Sequence, residues 1–253
     1  MAKNKVTVDG RTIIDLSTTG ITSSDDIPSG VYGYLRTGER VLGTGQIGGG
    51  DNPLSGKILA VNGDSICAGA GNDGVGYAEM IATANDMTLD NDSVGGATIA
   101  TGTASSHYIC TTISSMRSDA DYVILEGGVN DPDFGVSLGT LSDGYTATLD
   151  TTTFAGGFET MLKNALARFP GKKIGYIFVH KCGNFSSSYY NIAKEACEKW
   201  GIPYCDLNTQ APPLGYISAL QTAYTANGDG YHPNADGYSL YYVPKITAWL
   251  KTL

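Results

Sequence analysis

The chain is short of basic residues and has no long apolar run. Its 16 lysines and arginines stand against 25 aspartates and glutamates, which gives a net charge of −9. A nucleic-acid-binding surface needs a basic stripe and an anionic membrane attracts basic segments, so this balance disfavours both partners. No stretch approaches the ~20 apolar residues of a membrane helix, so no membrane span is expected. The first eight residues carry two lysines without an apolar core, so no secretory signal peptide is expected.

The cysteines lack a metal-binding pattern. The five of them stand at positions 67, 110, 182, 197 and 205, an odd number without any Cys-x-x-Cys pair. A zinc site is therefore not expected, and no metal or cofactor is implied. The simplest interpretation is a set of reduced, buried thiols in a protein made in the cytoplasm. Cys67 is accordingly interpreted as a small residue that packs the first helical turn, despite its closeness to Ser65.

What the chain does have is an apolar fraction of 42%, arranged in strands and helices that alternate. Short apolar runs predict strands at 58–61, 122–125, 174–179 and 202–207. Amphipathic stretches predict helices at 77–82, 104–116, 158–169, 190–200 and 234–250. Because strands and helices alternate along the chain, we expect a doubly wound α/β sandwich around a parallel sheet.

The first fifty residues differ from the rest, and they divide the chain into segments 1–50 and 51–253. They are polar and β-rich, and Asp9-Gly10 between alternating apolar residues predicts a β-hairpin. The glycine-rich run at 43–50 is interpreted as a flexible linker. Since so few apolar residues make a poor independent core, the segment is expected to be an attachment module or an extension laid against the larger domain.

Two distant segments supply a candidate nucleophile and a candidate base. Ser65 follows the strand predicted at 58–61, which places it at the carboxyl edge of the sheet, where open α/β enzymes bind ligands. Asp229 precedes His232 by three residues. A carboxylate at that spacing can hold one ring nitrogen of the imidazole and leave the other free to take a proton. The pattern predicts nucleophilic catalysis at this edge.

Four short blocks occur in a characteristic order: GDSI at 63–66, GGAT at 95–98, GGVND at 127–131 and DGYH at 229–232. They resemble the signature blocks of the SGNH (GDSL) esterase family, over roughly residues 57–253. The resemblance implies a flavodoxin-like three-layer α/β/α fold. It implies Ser65 as nucleophile, His232 as base and Asp229 as the residue that orients the base. It also implies an oxyanion hole made by the N–H groups of Ser65 and Gly96 and the side-chain amide of Asn130.

Other residues near these blocks have two interpretations each. Asp131 follows Asn130 and either contacts substrate or holds its own loop. His180 follows the strand predicted at 174–179, at the same sheet edge as Ser65, and either contacts substrate or is an ordinary loop histidine. The loop at 131–153 is too long for a plain connection, so we interpret it as a lid or a substrate-binding wall; the alternative is a surface excursion.

The remaining residues of note have structural interpretations. Asp64 is expected to bond within the turn that holds Ser65, and His107 is expected to be structural inside the helix predicted at 104–116. Asn62 is a departure from the family, which often has an apolar residue at that place. We see no catalytic consequence of it.

The resemblance implies hydrolysis of a carboxylic ester through an acyl-enzyme. The acidic, polar chain favours a soluble, polar ester over a lipid, and the resemblance to the family implies an acetyl ester on carbohydrate. A lipase, lysophospholipase or thioesterase of the same family is an alternative, and so is a phage carbohydrate-binding protein without catalysis. The stretch VDGRTIIDLSTTGITSSDDIPSGVYGYLRTGERVLGTG is similar to a short module of phage tail and tail-fibre proteins. That similarity implies homo-oligomers or virion assembly through the N-terminal segment, and release of the protein by lysis.

Overall fold

The structure is a computed structural model, and it describes residues 5–8, 11–15, 32–35, 37, 39–42, 52–183, 185 and 187–253. The chain divides into two units, Met1–Asn52 and Pro53–Leu253. In the first unit, β1 (Lys5–Val8) pairs antiparallel with β2 (Arg11–Asp15), and β3 (Tyr32–Tyr34) pairs antiparallel with β4 (Arg40–Leu42). The turn predicted at Asp9-Gly10 and the glycine-rich run at 43–50 lie outside the described residues.

The second unit is built on a five-stranded parallel sheet. Its strands are β5 (Ile58–Asn62), β6 (Thr88–Asn91), β7 (Tyr122–Glu126), β8 (Lys173–Phe178) and β9 (Tyr204–Asp206). They lie in the order β6-β5-β7-β8-β9, with every neighbouring pair parallel. The central strand β7 is buried at all of its positions, as expected for a parallel strand covered on both faces.

Helices form a layer on each side of the sheet. They are α1 (Tyr77–Asn85), α2 (Ile109–Thr112), α3 (Asn130–Asp133), α4 (Phe154–Arg168), α5 (Ser187–Trp200), α6 (Leu207–Gln210), α7 (Ser218–Tyr224), α8 (Ala235–Gly237) and α9 (Val243–Leu250), with a 3₁₀ turn at Ala226–Gly228 and a π-helical turn at Tyr238–Tyr242. Helix α4 packs against α5 and α2, whereas α1 packs against α9. The predicted α/β sandwich is therefore confirmed, and its strand order is that of flavodoxin-like folds. Within the described residues, no helix has the length and apolar character that crossing a membrane requires.

The closing helix is fastened to the turn that contains Ser65. The helix predicted at 234–250 is divided into α8, the π-helical turn and α9. Two tyrosines of that turn are fully buried: the Tyr238 hydroxyl donates to the Ile66 carbonyl at 2.7 Å, and the Tyr242 ring stacks on Tyr77 with centroids 5.8 Å apart. π-helical turns are rare and occur frequently at functional sites. This one lies against the turn of Ser65.

The helix predicted at 104–116 is much shorter than expected. Only α2 is helical in this stretch. The residues before it bond back to the preceding segment: Thr98 and Tyr108 form an isolated parallel bridge, and the Ser105 hydroxyl donates to the Gly96 carbonyl at 2.8 Å. The apolar spacing predicts a helix, but hydrogen bonds to the preceding segment hold the first residues of the stretch in a non-helical conformation.

Strand β6 is absent from the sequence prediction. Leu89 is its only large apolar residue, and none of its residues is fully buried. Its pairing with β5 is made by the backbone, for example between the Thr88 N–H and the Lys57 carbonyl at 2.9 Å. A polar edge strand of this kind has no periodic pattern of apolar residues, because backbone hydrogen bonds to the neighbouring strand stabilise its conformation.

The long loop after Asn130 is held against the helices α4 and α5. The buried Glu159 carboxylate of α4 accepts from the Ser142 N–H at 2.7 Å and pairs with Lys199 at 2.5 Å. The Tyr145 ring meets the Trp200 ring edge-on, with centroids 5.2 Å apart. These contacts favour the surface-excursion interpretation for most of the loop over that of a lid.

Candidate active site

Three side chains from the two ends of this unit form one hydrogen-bonded chain. The His232 Nε2 atom lies 2.9 Å from Ser65 Oγ, and His232 Nδ1 lies 2.6 Å from Asp229 Oδ2. Ser65 is 8% exposed, so it is largely but not completely buried. With the proton of a neutral imidazole on Nδ1, facing Asp229, the lone pair of Nε2 faces the Ser65 hydroxyl.

Ser65 is presented by the turn that follows β5. The Ser65 carbonyl accepts from the Ala70 N–H at 3.0 Å, and the Asp64 carbonyl accepts from the Ala68 N–H at 2.9 Å. The neighbours of β5 are β6 on one side and β7 on the other, so the chain leaves β5 where the strand order reverses. This is the switch point at which open α/β sheets bind ligands.

Asp229 is held in place by the backbone of its own motif. Its Oδ1 atom accepts from the N–H groups of Tyr231 at 2.8 Å and His232 at 3.0 Å. Gly230, which lies between Asp229 and Tyr231, adopts a φ of 75° that favours glycine. Burial by itself raises the pKa of Asp229, but the hydrogen bonds from the side chain and backbone of His232 outweigh it and hold the pKa below its usual value. The carboxylate therefore stays ionised beside His232.

Three further hydrogen-bond donors belong to the segments around Ser65. Asn130 donates from Nδ2 to the Ala97 carbonyl at 2.8 Å, which leaves its second amide hydrogen available. Gly96 has a φ of 76°, a left-handed conformation that a side chain disfavours. Within the described part of the chain, the N–H groups of Ser65 and Gly96 make no hydrogen bond. These donors are the ones that the sequence predicts for an oxyanion hole.

Asp131 holds the backbone next to this group. It is fully buried, and its two carboxylate oxygens accept from the N–H groups of Ile99 and Ala100 at 2.9 Å each. Burial raises the pKa of Asp131 to about 7, although these bonds oppose the shift. Since both oxygens point into the protein, we do not retain Asp131 as a substrate contact; of the two interpretations, the geometry favours the residue that holds its loop.

His180 is also withdrawn from the surface. It is fully buried, its Nδ1 atom lies 2.6 Å from the Tyr242 hydroxyl, and its Nε2 atom lies 3.4 Å from the Gly230 carbonyl. Burial lowers the pKa of His180 to about 4. The imidazole is therefore neutral. It connects the end of β8 to the Asp229 turn by hydrogen bonds and does not face a ligand.

The other residues discussed from sequence have structural contacts. All five cysteines are free and buried, and burial raises the pKa of Cys67 well above its usual value, so its thiolate is not available as a nucleophile.

His107 precedes α2, and its Nε2 atom lies 3.3 Å from Asn62 Oδ1 and 3.2 Å from Thr112 Oγ1. This contact explains how a buried asparagine is accommodated at the end of β5. Among the described residues, no group of three or more potential ligands is placed to hold a metal ion.

Glu126 is a buried polar residue at this site that the sequence prediction lacks. It ends β7, is fully buried, and accepts from the Asp64 N–H at 3.2 Å through Oε2. Asp64 in turn accepts from the Ile66 N–H at 2.9 Å, which is the bond within the turn that the sequence predicts. The signal for Glu126 was present: an acidic residue closes an otherwise apolar buried strand.

Comparison with known proteins identifies the class. The family model of the GDSL-like lipases and acylhydrolases matches residues 61–240, which is most of the chain. The chain therefore belongs to the GDSL-like lipase/acylhydrolase family, and it is an SGNH-type esterase. A search of curated proteins finds no match.

Solved structures share the fold. A protein from Lactobacillus plantarum is 26% identical with a TM-score of 0.68, over 79% of this chain and 98% of that one. Phospholipase A1 from Streptomyces albidoflavus is 18% identical with a TM-score of 0.54, over 77% and 99%. A family two carbohydrate esterase from Clostridium thermocellum, in complex with cellohexaose, is 15% identical with a TM-score of 0.54, over 85% and 69%. The last two similarities show the fold alone.

Proposed function

We propose that this protein hydrolyses acetyl esters of carbohydrates through an acyl-enzyme formed on Ser65. The observation that carries the proposal is the unbroken hydrogen-bonded chain from Ser65 Oγ through His232 to Asp229. That chain is the arrangement by which a weak hydroxyl nucleophile is activated.

The residues of the site divide the steps of the proposed reaction among them. His232 takes the proton of the Ser65 hydroxyl as Oγ attacks the ester carbonyl, and Asp229 stabilises the imidazolium that forms. The N–H groups of Ser65 and Gly96 and the free amide hydrogen of Asn130 stabilise the negative oxygen of the tetrahedral intermediate. The imidazolium then protonates the departing alcohol. Water, deprotonated by His232, then attacks the acyl carbonyl; the bond to Ser65 Oγ breaks, His232 returns the proton to Oγ, and the acid is released.

A short acyl group suits the space beside Ser65. Gly95 lies close by, since a Cβ atom built on it would be 3.9 Å from the Ser65 Cβ atom. The turn that contains Gly95 begins with Asn91, Asp92 and Ser93, which are polar and partly exposed. A long acyl chain needs a continuous apolar wall, and a polar, glycine-rich turn does not supply one.

The residues beside His232 have features that suit a sugar. Tyr231 packs between His232 and Gly183, and the 62% exposed Tyr216 donates through its hydroxyl to the Gly183 carbonyl at 2.9 Å. A groove of about 340 Å³ continues from there, and it is lined by Lys181, Phe185, Tyr190, Asn191, Asn208 and Tyr216. Aromatic rings together with amide and ammonium donors are suited to a ligand with apolar faces and many hydroxyls.

The comparisons do not identify the alcohol part of the ester substrate. A phospholipase and a carbohydrate esterase share this fold with the protein, and a shared fold does not choose between their substrates. The choice of a carbohydrate ester therefore rests on the polar turn, the groove and the net charge of −9, which disfavours binding to anionic lipid surfaces. The N-terminal segment lies outside the matched residues 61–240, so its role in attachment remains a prediction.

The test is the rate of hydrolysis along a series of p-nitrophenyl esters from acetate to palmitate, with release of acetate from acetylated xylan measured in parallel. We expect the acetate ester to have the highest kcat/KM. Each added methylene that the site rejects should cost about 1–3 kcal/mol, so the decline should be progressive. Faster cleavage of octanoate would instead indicate the lipase alternative. Glycan binding without any turnover would indicate the non-catalytic one.

A further inference from the structure

Two acidic side chains lie together in the interior, directly behind Ser65. Asp64 and Glu126 are 62 positions apart in the chain, both are fully buried, and the Asp64 N–H donates to Glu126 Oε2 at 3.2 Å. Two carboxylates buried this close together repel each other unless one of them carries a proton.

The unsatisfied atoms of the pair point to the same conclusion. Glu126 Oε2 accepts from the Asp64 N–H, and Asp64 Oδ1 accepts from the Ile66 N–H. The other two oxygens, Asp64 Oδ2 and Glu126 Oε1, are buried without any donor from the rest of the described protein. A proton held between these two oxygens satisfies both of them, and it avoids the repulsion of two buried like charges.

The surroundings supply no competing cation. Among the described residues, no lysine or arginine forms an ion pair with either side chain. Burial raises the pKa of both carboxyls, that of Asp64 to about 6 and that of Glu126 well above its usual value. The titratable groups that share this environment are His232, Asp131, Cys67, Cys182, Tyr77, Tyr176, Tyr238 and Tyr242. Burial also raises the pKa values of these thiols and phenols, which remain neutral.

The backbone is shaped to admit the Glu126 carboxyl. A Cβ atom on Gly63 would lie 2.5 Å from Glu126 Oε2, so only glycine leaves room for it. Glu126 is also the residue from which the chain runs through two glycines to Asn130. Its side chain therefore joins the turn of Ser65 to the strand that leads to Asn130.

We propose that Glu126 is a positioning residue that acts as a neutral carboxylic acid: it donates its proton to the Asp64 carboxylate and accepts from the Asp64 N–H. These two bonds fasten the Ser65 turn to β7 and so fix the spacing between Ser65 and Asn130. The proton stays between the two carboxyls throughout the reaction, and no bond to substrate is made by either. The inference rests on the esterase function proposed above, since its kinetic consequence is read in that reaction.

The first test compares two substitutions of Glu126 with p-nitrophenyl acetate as substrate. Glu126→Gln keeps one donor and one acceptor in the same shape, and we expect kcat to stay within about threefold of wild type. Glu126→Leu removes both bonds, and we expect kcat to fall by about tenfold to a hundredfold with little change in KM, the usual effect of a small displacement of reacting groups. Glu159→Leu is the matched control, because Glu159 is equally buried but lies on α4 among loop contacts. It should lower the melting temperature and leave the kcat of the folded protein near that of wild type.

The second test is independent of activity. The infrared difference spectrum between wild type and Glu126→Gln at pH 7 should contain the C=O stretch of a protonated carboxylic acid. An ionised carboxylate band in its place would overturn the proposal, whatever the enzyme hydrolyses. A Glu126→Gln protein that loses as much kcat as Glu126→Leu would also overturn it. So would a Glu126→Leu protein with normal kcat. If Glu126→Leu does not fold, the Gln variant and the infrared band still decide: retained kcat with the acid band supports the proposal, and loss of either refutes it.

Discussion

Replacing Asn130 by alanine tests the proposed oxyanion hole directly. The Asn130 side chain has two amide hydrogens, and the structure uses one of them to hold the Ala97 carbonyl at 2.8 Å. The other is the hydrogen that we assign to the negatively charged oxygen of the tetrahedral intermediate. The substitution removes both, so its effects on stability and on rate have to be separated.

The two effects differ in size. Loss of an ordinary hydrogen bond to a backbone carbonyl lowers the free energy of unfolding by about 0.5–1.5 kcal/mol. Loss of one oxyanion-hole donor raises the activation free energy by about 3 kcal/mol, which is roughly a hundredfold or more in kcat. Because the charge on the oxygen develops mainly in the transition state, KM should change little.

The assay is kcat and KM on p-nitrophenyl acetate at a temperature well below the melting temperature of the variant. Asn164→Ala is the matched control, since the Asn164 amide donates to the Cys110 carbonyl at 3.1 Å and lies on α4. It should cost similar stability and leave kcat near that of wild type. The reasoning would be refuted if Asn130→Ala lowered kcat by less than about tenfold, or if the loss in kcat/KM came from KM alone.

Three further predictions concern other parts of the molecule. Ser65→Ala should abolish turnover with the fold intact, whereas Cys67→Ala should leave kcat nearly unchanged, and the reverse result would overturn the nucleophile assignment. The pKa of His180 is lowered from 6.5 to about 4. Between pH 6.5 and pH 4, His180 is therefore protonated in the unfolded chain and neutral in the folded protein. Its stabilising contribution is complete above pH 6.5 and is lost as the pH falls towards 4; 2.5 pH units correspond to about 3 kcal/mol. Chemical denaturation at both pH values should therefore show wild type losing about 3 kcal/mol more than His180→Gln, and equal losses would contradict the burial argument. A chain that starts at Pro53 should fold and keep most of its kcat/KM, with any self-association reduced in solution-mass measurements; an insoluble or inactive product would show that the N-terminal segment belongs to the catalytic unit.

The sequence alone predicts the parts of the candidate site that are local. Asp229 and His232 are three residues apart, and the turn between them needs only its own backbone N–H groups to hold the carboxylate. Ser65 could be placed because a short apolar strand and a glycine turn precede it. The alternation of buried strands and amphipathic helices in turn predicts the sandwich, since each of these patterns is set by which face of an element is buried.

Other features depend on partners that are distant in the chain. Strand β6 has one large apolar residue and forms because its backbone pairs with that of β5. The helix predicted at 104–116 loses its first turn to hydrogen bonds with residues 96–98. His180, placed by its strand at the ligand-binding edge, is instead covered by the Tyr242 hydroxyl.

Glu126 shows the physical reason most clearly. From sequence it is one acidic residue at the end of an apolar strand, and nothing local says whether it faces solvent, substrate or another carboxyl. Its environment is decided by Asp64 and Gly63, which chain folding brings to it from another strand. Burial and hydrogen-bond partners set the charge state of a carboxyl, and both exist only once the sheet has formed.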